Sequence, residues 1–326
     1  NCGGRYTYYA GYQPRCLQLG HRGAVSMVTA LRHSCNIYFY DVGRRLGVDT
    51  FSATAQQLGL GAPCGTELPE TTGRLTWSTD ENYQAGLALM AAIGQGNTSV
   101  SPLQLAAYAG ALARDGQRPA LHFAQSTTDA AGNITWQAQP DVLAQAPGGA
   151  AVFAPIREGM AQMAQTLRTL RESPIPLACK TGSPQRSEGY YVGSTYKHYT
   201  NTMMIAYGPA EDPEIAIGVV VEYGGAGART GQLVAGAAMP RPFCGLRRTG
   251  LQQPEWPEQD GILWGIFAFN MQDELFAFCP QMGWGKPVES EKTGKTPVII
   301  VSFTRKNGGK TGSLPSERGC LSVLLC

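Results

Sequence analysis

The chain is short of charge. Only 15% of its 326 residues are Asp, Glu, Lys or Arg, and the formal net charge is +2, against roughly 25% charged residues in an average globular protein. That excludes a nucleic-acid binder held by phosphate contacts and a charge-rich disordered chain. Long apolar runs are missing as well: no stretch approaches the roughly 18 residues of a membrane helix. The first residues, Asn1-Cys2-Gly3-Gly4, include neither an initiating Met nor a basic-then-apolar leader, so the sequence reads as a piece that starts inside a longer protein. No Gly-x-Gly-x-x-Gly is present, which removes the usual dinucleotide fingerprint.

Paired metal and redox motifs are also wanting. None of the nine cysteines sits in a tight Cys-x-x-Cys pair, which argues against a zinc ribbon or a thioredoxin motif. Cys2 and Cys16 can pair across a short loop or stand as free thiols, and the free form is the simpler expectation. The four histidines, at 21, 33, 122 and 198, are scattered without ligand spacing, so surface or packing roles are expected of them. No metal and no cofactor is expected.

What is present is a core-forming composition, 43% apolar with 9% aromatic residues, and an excess of glycine, 41 residues in all. Lysine is distributed unevenly. Residues 1 to 238 carry 14 Arg but only 2 Lys, whereas residues 239 to 326 carry 5 of each and three of the five Trp. The change of composition predicts a domain over 1–238 and a tail of different character over 239–326, expected to arise from a shifted reading frame or a fusion. Pro240-Arg241-Pro242 breaks the helix that Ala235 to Ala238 are expected to start.

Within the first segment, apolar periodicity predicts helices over Ala24 to His33, Ile37 to Leu46, Asp49 to Leu58, Pro102 to Arg114 and Phe153 to Leu170. The fourth has a small-residue face suited to a tightly packed interior. Strands are expected over Leu177 to Thr181, Thr202 to Tyr207 and Ile215 to Tyr223. Helices first and a closely connected antiparallel sheet last make an α+β pattern.

The chemistry-bearing stretches are short. Lys180-Thr181-Gly182-Ser183 ends an apolar strand, where a lysine, two hydroxyls and a glycine at a strand edge suit carboxylate binding and oxyanion stabilisation. The four letters alone are weak, since Lys310-Thr311-Gly312-Ser313 repeats them in a glycine-rich setting with no strand before it, and Lys292-Thr293-Gly294 repeats three; those copies read as turns. Gly294-Lys295-Thr296 has Glu289 rather than glycine five positions earlier, so it is no phosphate loop. Ser34-Cys35-Asn36 lies between two helices, where its ordinary role would be to cap the second.

Taken in order, these stretches resemble a known family. Arg32-His33-Ser34-Cys35-Asn36-Ile37-Tyr38-Phe39-Tyr40, Leu58-Gly59-Leu60-Gly61 with Glu67-Leu68-Pro69-Glu70, Ile93-Gly94-Gln95-Gly96, Lys180-Thr181-Gly182-Ser183 and Gly208-Pro209-Ala210 are similar to the later part of the transpeptidase domain of class B penicillin-binding proteins, most of all the elongation type. The resemblance implies the penicillin-binding/β-lactamase-like fold, an antiparallel sheet packed with helices, here without its N-terminal part. It implies D,D-transpeptidation, in which a serine attacks the D-Ala-D-Ala end of a peptidoglycan stem peptide, and acylation by β-lactams.

By that resemblance Ser34 would relay a proton, Asn36 would hydrogen-bond the substrate amide, and Lys180 would supply positive potential and tune Ser34. Thr181, Gly182 and Ser183 would line the strand edge, the Ser183 N–H forming half of the oxyanion hole. The family also implies attachment to the outer face of the cytoplasmic membrane by an upstream helix, and a membrane glycosyltransferase as partner.

The sequence departs from the family at the nucleophile. Its Ser-x-x-Lys should precede Ser34, and none does: Ser26 is followed by Met27-Val28-Thr29. Ser194-Thr195-Tyr196-Lys197 comes after Lys180, in a Tyr-rich segment expected to be a polar loop, where no helix start would activate it. The expected product is an inactive part of an enzyme. A β-lactam sensor, a serine β-lactamase or a non-catalytic scaffold are the alternatives.

Overall fold

The computed structural model describes residues 1–16, 21–124, 126–139 and 141–238, together with the backbone of three strands at 266–270, 274–278 and 298–303. The repeated Lys-Thr-Gly copies at 292 and 310 and the Pro240 to Pro242 break lie outside the described residues.

Helix α1 (Met27–His33) starts later than its periodicity suggests because Ser26 caps it, its hydroxyl accepting from the Thr29 amide at 3.2 Å. Ser34 ends α1 in the left-handed region, at φ 54° and ψ 49°. Helices α2 (Asn36–Leu46) and α3 (Val48–Gln57) follow through short turns. A short α4 (Ala85–Ala91), which the periodicity did not reveal, precedes Ile93-Gly94-Gln95-Gly96, where Gly94 and Gly96 take φ values of 73° and 76° that side chains rarely adopt.

Helix α5 (Pro102–Ala113) begins with a complete capping box. Ser101 Oγ accepts from the Gln104 amide at 3.2 Å, Gln104 Oε1 accepts from the Ser101 amide at 3.0 Å, and Pro102 occupies the first turn, where its missing N–H costs nothing. The Gln104 side chain also donates to the carbonyls of Ala62 and Thr72 at 2.8 Å each, which fastens the preceding loop to the helix. Two small hairpins follow, in which β1 (Gln117–Pro119) pairs with β4 (Val142–Gln145) and β2 (Ser126–Thr128) with β3 (Ile134–Gln137).

The helix expected over Phe153 to Leu170 is two. α6 (Gly149–Ala164) ends, Leu167 turns to an extended conformation at φ −103° and ψ 116°, and α7 (Arg168–Arg171) begins anew. Then come β5 (Ala178–Gly182), a hairpin of β6 (Gln185–Val192) and β7 (Thr195–Thr200), β8 (Thr202–Gly208), β9 (Ile215–Val221) and α8 (Gly227–Ala238).

Strands β5, β8 and β9 pair antiparallel in that spatial order. Beyond β9 the backbone continues through β10 (Ile266–Asn270), β11 (Glu274–Phe278) and β12 (Val298–Phe303), with β12 beside β9. That single pairing is parallel, an exception to the antiparallel expectation.

At β5, β8 and β9 the sheet is buried on both faces, which explains the unbroken apolar run of β9. Alternation sends Ala178, Ile205, Tyr207 and Ala216 to one core with α5, and Leu177, Cys179, Met204, Ala206, Ile217 and Val219 to another with Ala235 of α8. Gly218 sets the distance between α5 and the sheet. A Cβ there would lie 2.7 Å from both the Ala106 amide nitrogen and the Pro102 carbonyl oxygen.

Candidate active site

Segments distant in sequence meet at β5. Because side chains alternate along a strand, Lys180 shares a face with Ala178 and turns toward the helices rather than toward α8. Its ammonium donates to Ser34 Oγ at 2.5 Å and to the Thr181 carbonyl at 2.9 Å. Burial pulls the Lys180 pKa down from 10.5 to about 8, a shift that the neighbouring Cys179 opposes. Ser34 reaches this position from a left-handed backbone, an uncommon conformation for a residue with a Cβ and one that is found at functional sites.

Asn36 is the first residue of α2, one residue beyond the buried Cys35. Its Nδ2 donates to the Arg15 carbonyl at 3.5 Å, so the N-terminal segment also reaches the site. Thr181 points to the opposite face, its hydroxyl 4.0 Å from Met163 Sδ. Ser183 Oγ accepts from the Gly227 amide at 2.8 Å and so holds the start of α8. The structure thus joins Ser34 to Lys180 directly and sets Asn36 beside them, while the hydroxyls of Thr181 and Ser183 bond to α6 and α8 respectively. Gly182 follows Lys180 on the strand, with its carbonyl against Gly227. Among the described residues β5 pairs only with β8, so its other edge carries unpaired backbone groups suited to an extended peptide.

Two stretches of the family resemblance serve the frame rather than the cleft. Glu70 accepts from the Cys64 and Thr66 amides at 2.6 and 2.8 Å. Burial alone would raise its pKa, but these bonds outweigh it and hold the carboxylate below the usual range. Arg118 closes the same loop, donating to the carbonyls of Gln56 and Pro63 at 2.8 Å each. Ser194 and Lys197 are exposed on the β6–β7 hairpin, where Lys197 stands opposite Tyr190. The segment is a hairpin, with a register shift between Gln185 and Gly189, rather than the expected loop, and neither residue lies at a helix start.

Behind Ser34 and Asn36 lies a group that the spacing of cysteine and histidine did not reveal. Cys2, Cys16, His21 and Cys35 are all buried, and their ligand atoms lie within 4.8 Å of one another. His33 stacks on His21, with ring centroids 5.3 Å apart and planes 15° apart. Three thiols and an imidazole are a donor set suited to a soft divalent cation such as zinc.

A Ser-x-Asn turn bonded to a half-buried lysine on an edge strand, with helices on both sheet faces, is the arrangement of the serine acyl-transferring penicillin-recognising enzymes. The family described as "Penicillin binding protein transpeptidase domain" matches residues 3–241, and the chain belongs to that family. The chain is 29% identical over 230 residues to "Peptidoglycan D,D-transpeptidase MrdA" of Acinetobacter baumannii, a match covering 66% of this chain and 34% of that relative's length. The chain therefore spans about a third of that relative.

Among solved structures it resembles penicillin-binding protein A of M. tuberculosis, described as a ceftriaxone acyl-enzyme complex, with 22% identity and a TM-score of 0.60, over 69% of this chain and 51% of that one. It also resembles the penicillin-binding protein PBP2 of Helicobacter pylori in complex with MreC, at 24% identity and a TM-score of 0.59, over 74% and 44%. The α+β transpeptidase fold expected from the motifs is the fold observed.

Proposed function

We propose that the protein to which this chain belongs is an elongation-type peptidoglycan D,D-transpeptidase, with residues 1–238 supplying the Ser-x-Asn and Lys-Thr-Gly-Ser walls of its cleft. The observation that carries this reading is the bond from half-buried Lys180 to Ser34, which joins the two motifs the chemistry requires. With a pKa of about 8, Lys180 is mainly an ammonium at neutral pH and attracts the terminal carboxylate of a stem peptide or β-lactam; its neutral fraction takes up a proton through Ser34. Asn36 supplies an amide for the peptide, the free edge of β5 its backbone partner, and the Ser183 N–H one oxyanion donor. The nucleophilic serine comes from a Ser-x-x-Lys outside residues 1–326. It attacks the carbonyl between the two D-alanines, D-alanine leaves with the transferred proton, and the acyl group passes to an amine on a neighbouring strand.

The same reading places the parent protein on the outer face of the cytoplasmic membrane, with a membrane glycosyltransferase as a partner. No helix among the described residues is long and apolar enough to cross a membrane. Residues 239–326 are read as a separate unassigned segment from a shifted frame or a fusion, and the nucleotide sequence around codon 238 tests this. An alternate frame that does not restore a C-terminal helix removes the frameshift explanation.

The functional test uses a labelled penicillin. Residues 1–326 should carry no covalent label, and a protein extended upstream to include the Ser-x-x-Lys should be labelled unless Lys180→Ala is introduced. An adduct on Ser194 of the chain itself would overturn the assignment. Rapid hydrolysis of a chromogenic β-lactam by the extended protein would favour the lactamase.

A further inference from the structure

We propose that the open cavity between the β6–β7 hairpin and the turn from β9 into α8 binds a neutral glycan, a strand of N-acetylhexosamine pyranose rings, and so holds the sugar backbone from which a stem peptide hangs. The identity of the sugar rests on the peptidoglycan reading above. The cavity has a volume of about 420 Å³, in the range of small-molecule sites, and is lined by Tyr190, His198, Tyr199, Thr200, Tyr223 and Gly225.

The rings form a platform. Tyr190 and Tyr199 face each other across the hairpin with centroids 5.1 Å apart and planes at 35°, and Tyr199 meets Tyr223 at 5.4 Å and 78°. Two rings near a right angle offer a floor and a wall. The face of an aromatic ring is the negative part of its quadrupole and attracts the C–H bonds that cover one side of a pyranose, while the phenol hydroxyls at the ring edge suit the hydroxyls of the sugar. Tyr190 and Tyr199 are 45% and 39% exposed, so a ligand that covers these faces removes apolar surface from water.

The lining disfavours other ligands. It includes no carboxylate, thiol, lysine or arginine, so a phosphate finds no fixed positive partner and a metal ion no anionic one. The charges beside the cavity are paired: Arg186 Nε donates to Glu188 Oε2 at 3.2 Å, with the guanidinium 4.4 Å above the Tyr223 ring. A wholly apolar ligand would desolvate three phenols, an imidazole and the Thr200 hydroxyl without replacing their hydrogen bonds. A neutral ring with one apolar face and polar edges satisfies both demands.

The wall is built before any ligand arrives. Tyr223 takes a left-handed backbone at φ 55°, a conformation found at functional sites, and is held there by its amide donating to Asn201 Oδ1 at 3.1 Å and its hydroxyl donating to Glu188 Oε2 at 2.7 Å. The Gly225 amide donates to the Thr200 carbonyl at 3.1 Å, which ties the turn to the hairpin. Side chains already fixed in the free protein lose little freedom on binding.

The place of the cavity in the fold gives its use. The Asn201 amide donates to the carbonyl of Pro184 at 3.0 Å, one residue past Ser183, and Ser183 Oγ accepts from Gly227, two residues past Gly225. The cavity therefore adjoins the end of the Lys-Thr-Gly-Ser strand, and a glycan held there leaves its stem peptide beside the free edge of β5.

The test takes the 326-residue chain and chitotriose, the neutral trimer of N-acetylglucosamine. Saturation-transfer NMR should show transfer to the pyranose ring protons, and a tyrosine fluorescence titration should saturate. Tyr199→Ala should weaken binding by about tenfold, and Tyr199→Phe, which keeps the ring face, by less. Cellotriose, which lacks the acetamido groups, should bind about tenfold more weakly than chitotriose. Tyr191, the most exposed ring of the hairpin at 72%, lies outside the cavity lining, so Tyr191→Ala should leave binding unchanged.

Transfer to chitotriose by the unaltered chain needs no variant, and Tyr199→Phe serves where Tyr199→Ala fails to fold. No transfer to chitotriose, equal loss from Tyr191→Ala and Tyr199→Ala, equal affinity for cellotriose, or displacement of chitotriose by a sugar-free stem pentapeptide, which would make the cavity a peptide subsite, each overturns the proposal. None of these outcomes depends on penicillin labelling, which tests the transpeptidase reading alone.

Discussion

Lys180 donates to Ser34 Oγ at 2.5 Å across 146 residues of sequence. The bond joins the sheet to the end of α1, and it places a cation where burial disfavours one. Its cost and its use follow from the same desolvation.

The first prediction concerns that cost. Lys180 has a folded pKa of about 8 against 10.5 unperturbed, so below about pH 8 both states are protonated and the burial penalty is fully present. Between 8 and 10.5 the unfolded chain binds the extra proton, and stability rises with pH. Lys180→Met removes the penalty but also the bonds to Ser34 and Thr181. It should stabilise the chain at pH 7 by about 1–3 kcal/mol, with the gain gone by about pH 11, while abolishing penicillin acylation of the upstream-extended protein. Urea unfolding across that pH range checks the sign; a gain that grows with pH would sink the account.

Glu70 behaves oppositely. Its folded pKa is held below 4.5 by the Cys64 and Thr66 amides, so its contribution is present above about pH 4.5 and is lost as pH falls through the folded value. Glu70→Gln should cost about 1–3 kcal/mol at pH 7, because a side-chain NH₂ then faces an amide donor. The difference from wild type should shrink in acid, as measured by denaturant midpoints at pH 7 and pH 3.

Gly218→Ala tests the packing of α5 on β9. The added Cβ meets the backbone of Pro102 and Ala106, which cannot rotate away. A loss of about 1–3 kcal/mol or more is expected, visible as a lowered thermal midpoint with little change in helical circular dichroism.

Gly227→Ala tests how α8 positions the Lys-Thr-Gly strand. Its Cβ would run into the Gly182 carbonyl oxygen and approach that of Met203 at 3.1 Å, so α8 must retreat and the bond to Ser183 Oγ must stretch. Stability should fall by about 1–3 kcal/mol. Acylation of the extended protein should slow even when corrected for folded fraction. Unchanged acylation kinetics would show that the strand is positioned without α8.

The sequence by itself determined the helices before and after the Ser34-Cys35-Asn36 turn, the interior helix α5 and the three strands β5, β8 and β9. Alternating side chains in Leu177 to Thr181 had to place Lys180 opposite Cys179, the small residues of 102–113 had to seek a close partner, and Ser34-Cys35-Asn36 had to fall between two helices. These are local properties, written in periods of two and 3.6 and in capping chemistry. They also carried the family, since five short stretches in order define it better than any one.

Tertiary structure decided what depends on groups distant in sequence being brought together. The shifted pKa of Lys180 arises from burial that no neighbouring residue reports. The break between α6 and α7 is an extended Leu167 inside an otherwise helical pattern. Gln104, polar on an apolar helix, is explained by the carbonyls of Ala62 and Thr72 that it reaches. The Cys2, Cys16, His21 and Cys35 group has no regular spacing, because its donors come from the N-terminal segment and from the start of α2 rather than from a single turn. Ligand motifs are legible in sequence when one turn presents the donors; when the fold presents them, only the fold shows them.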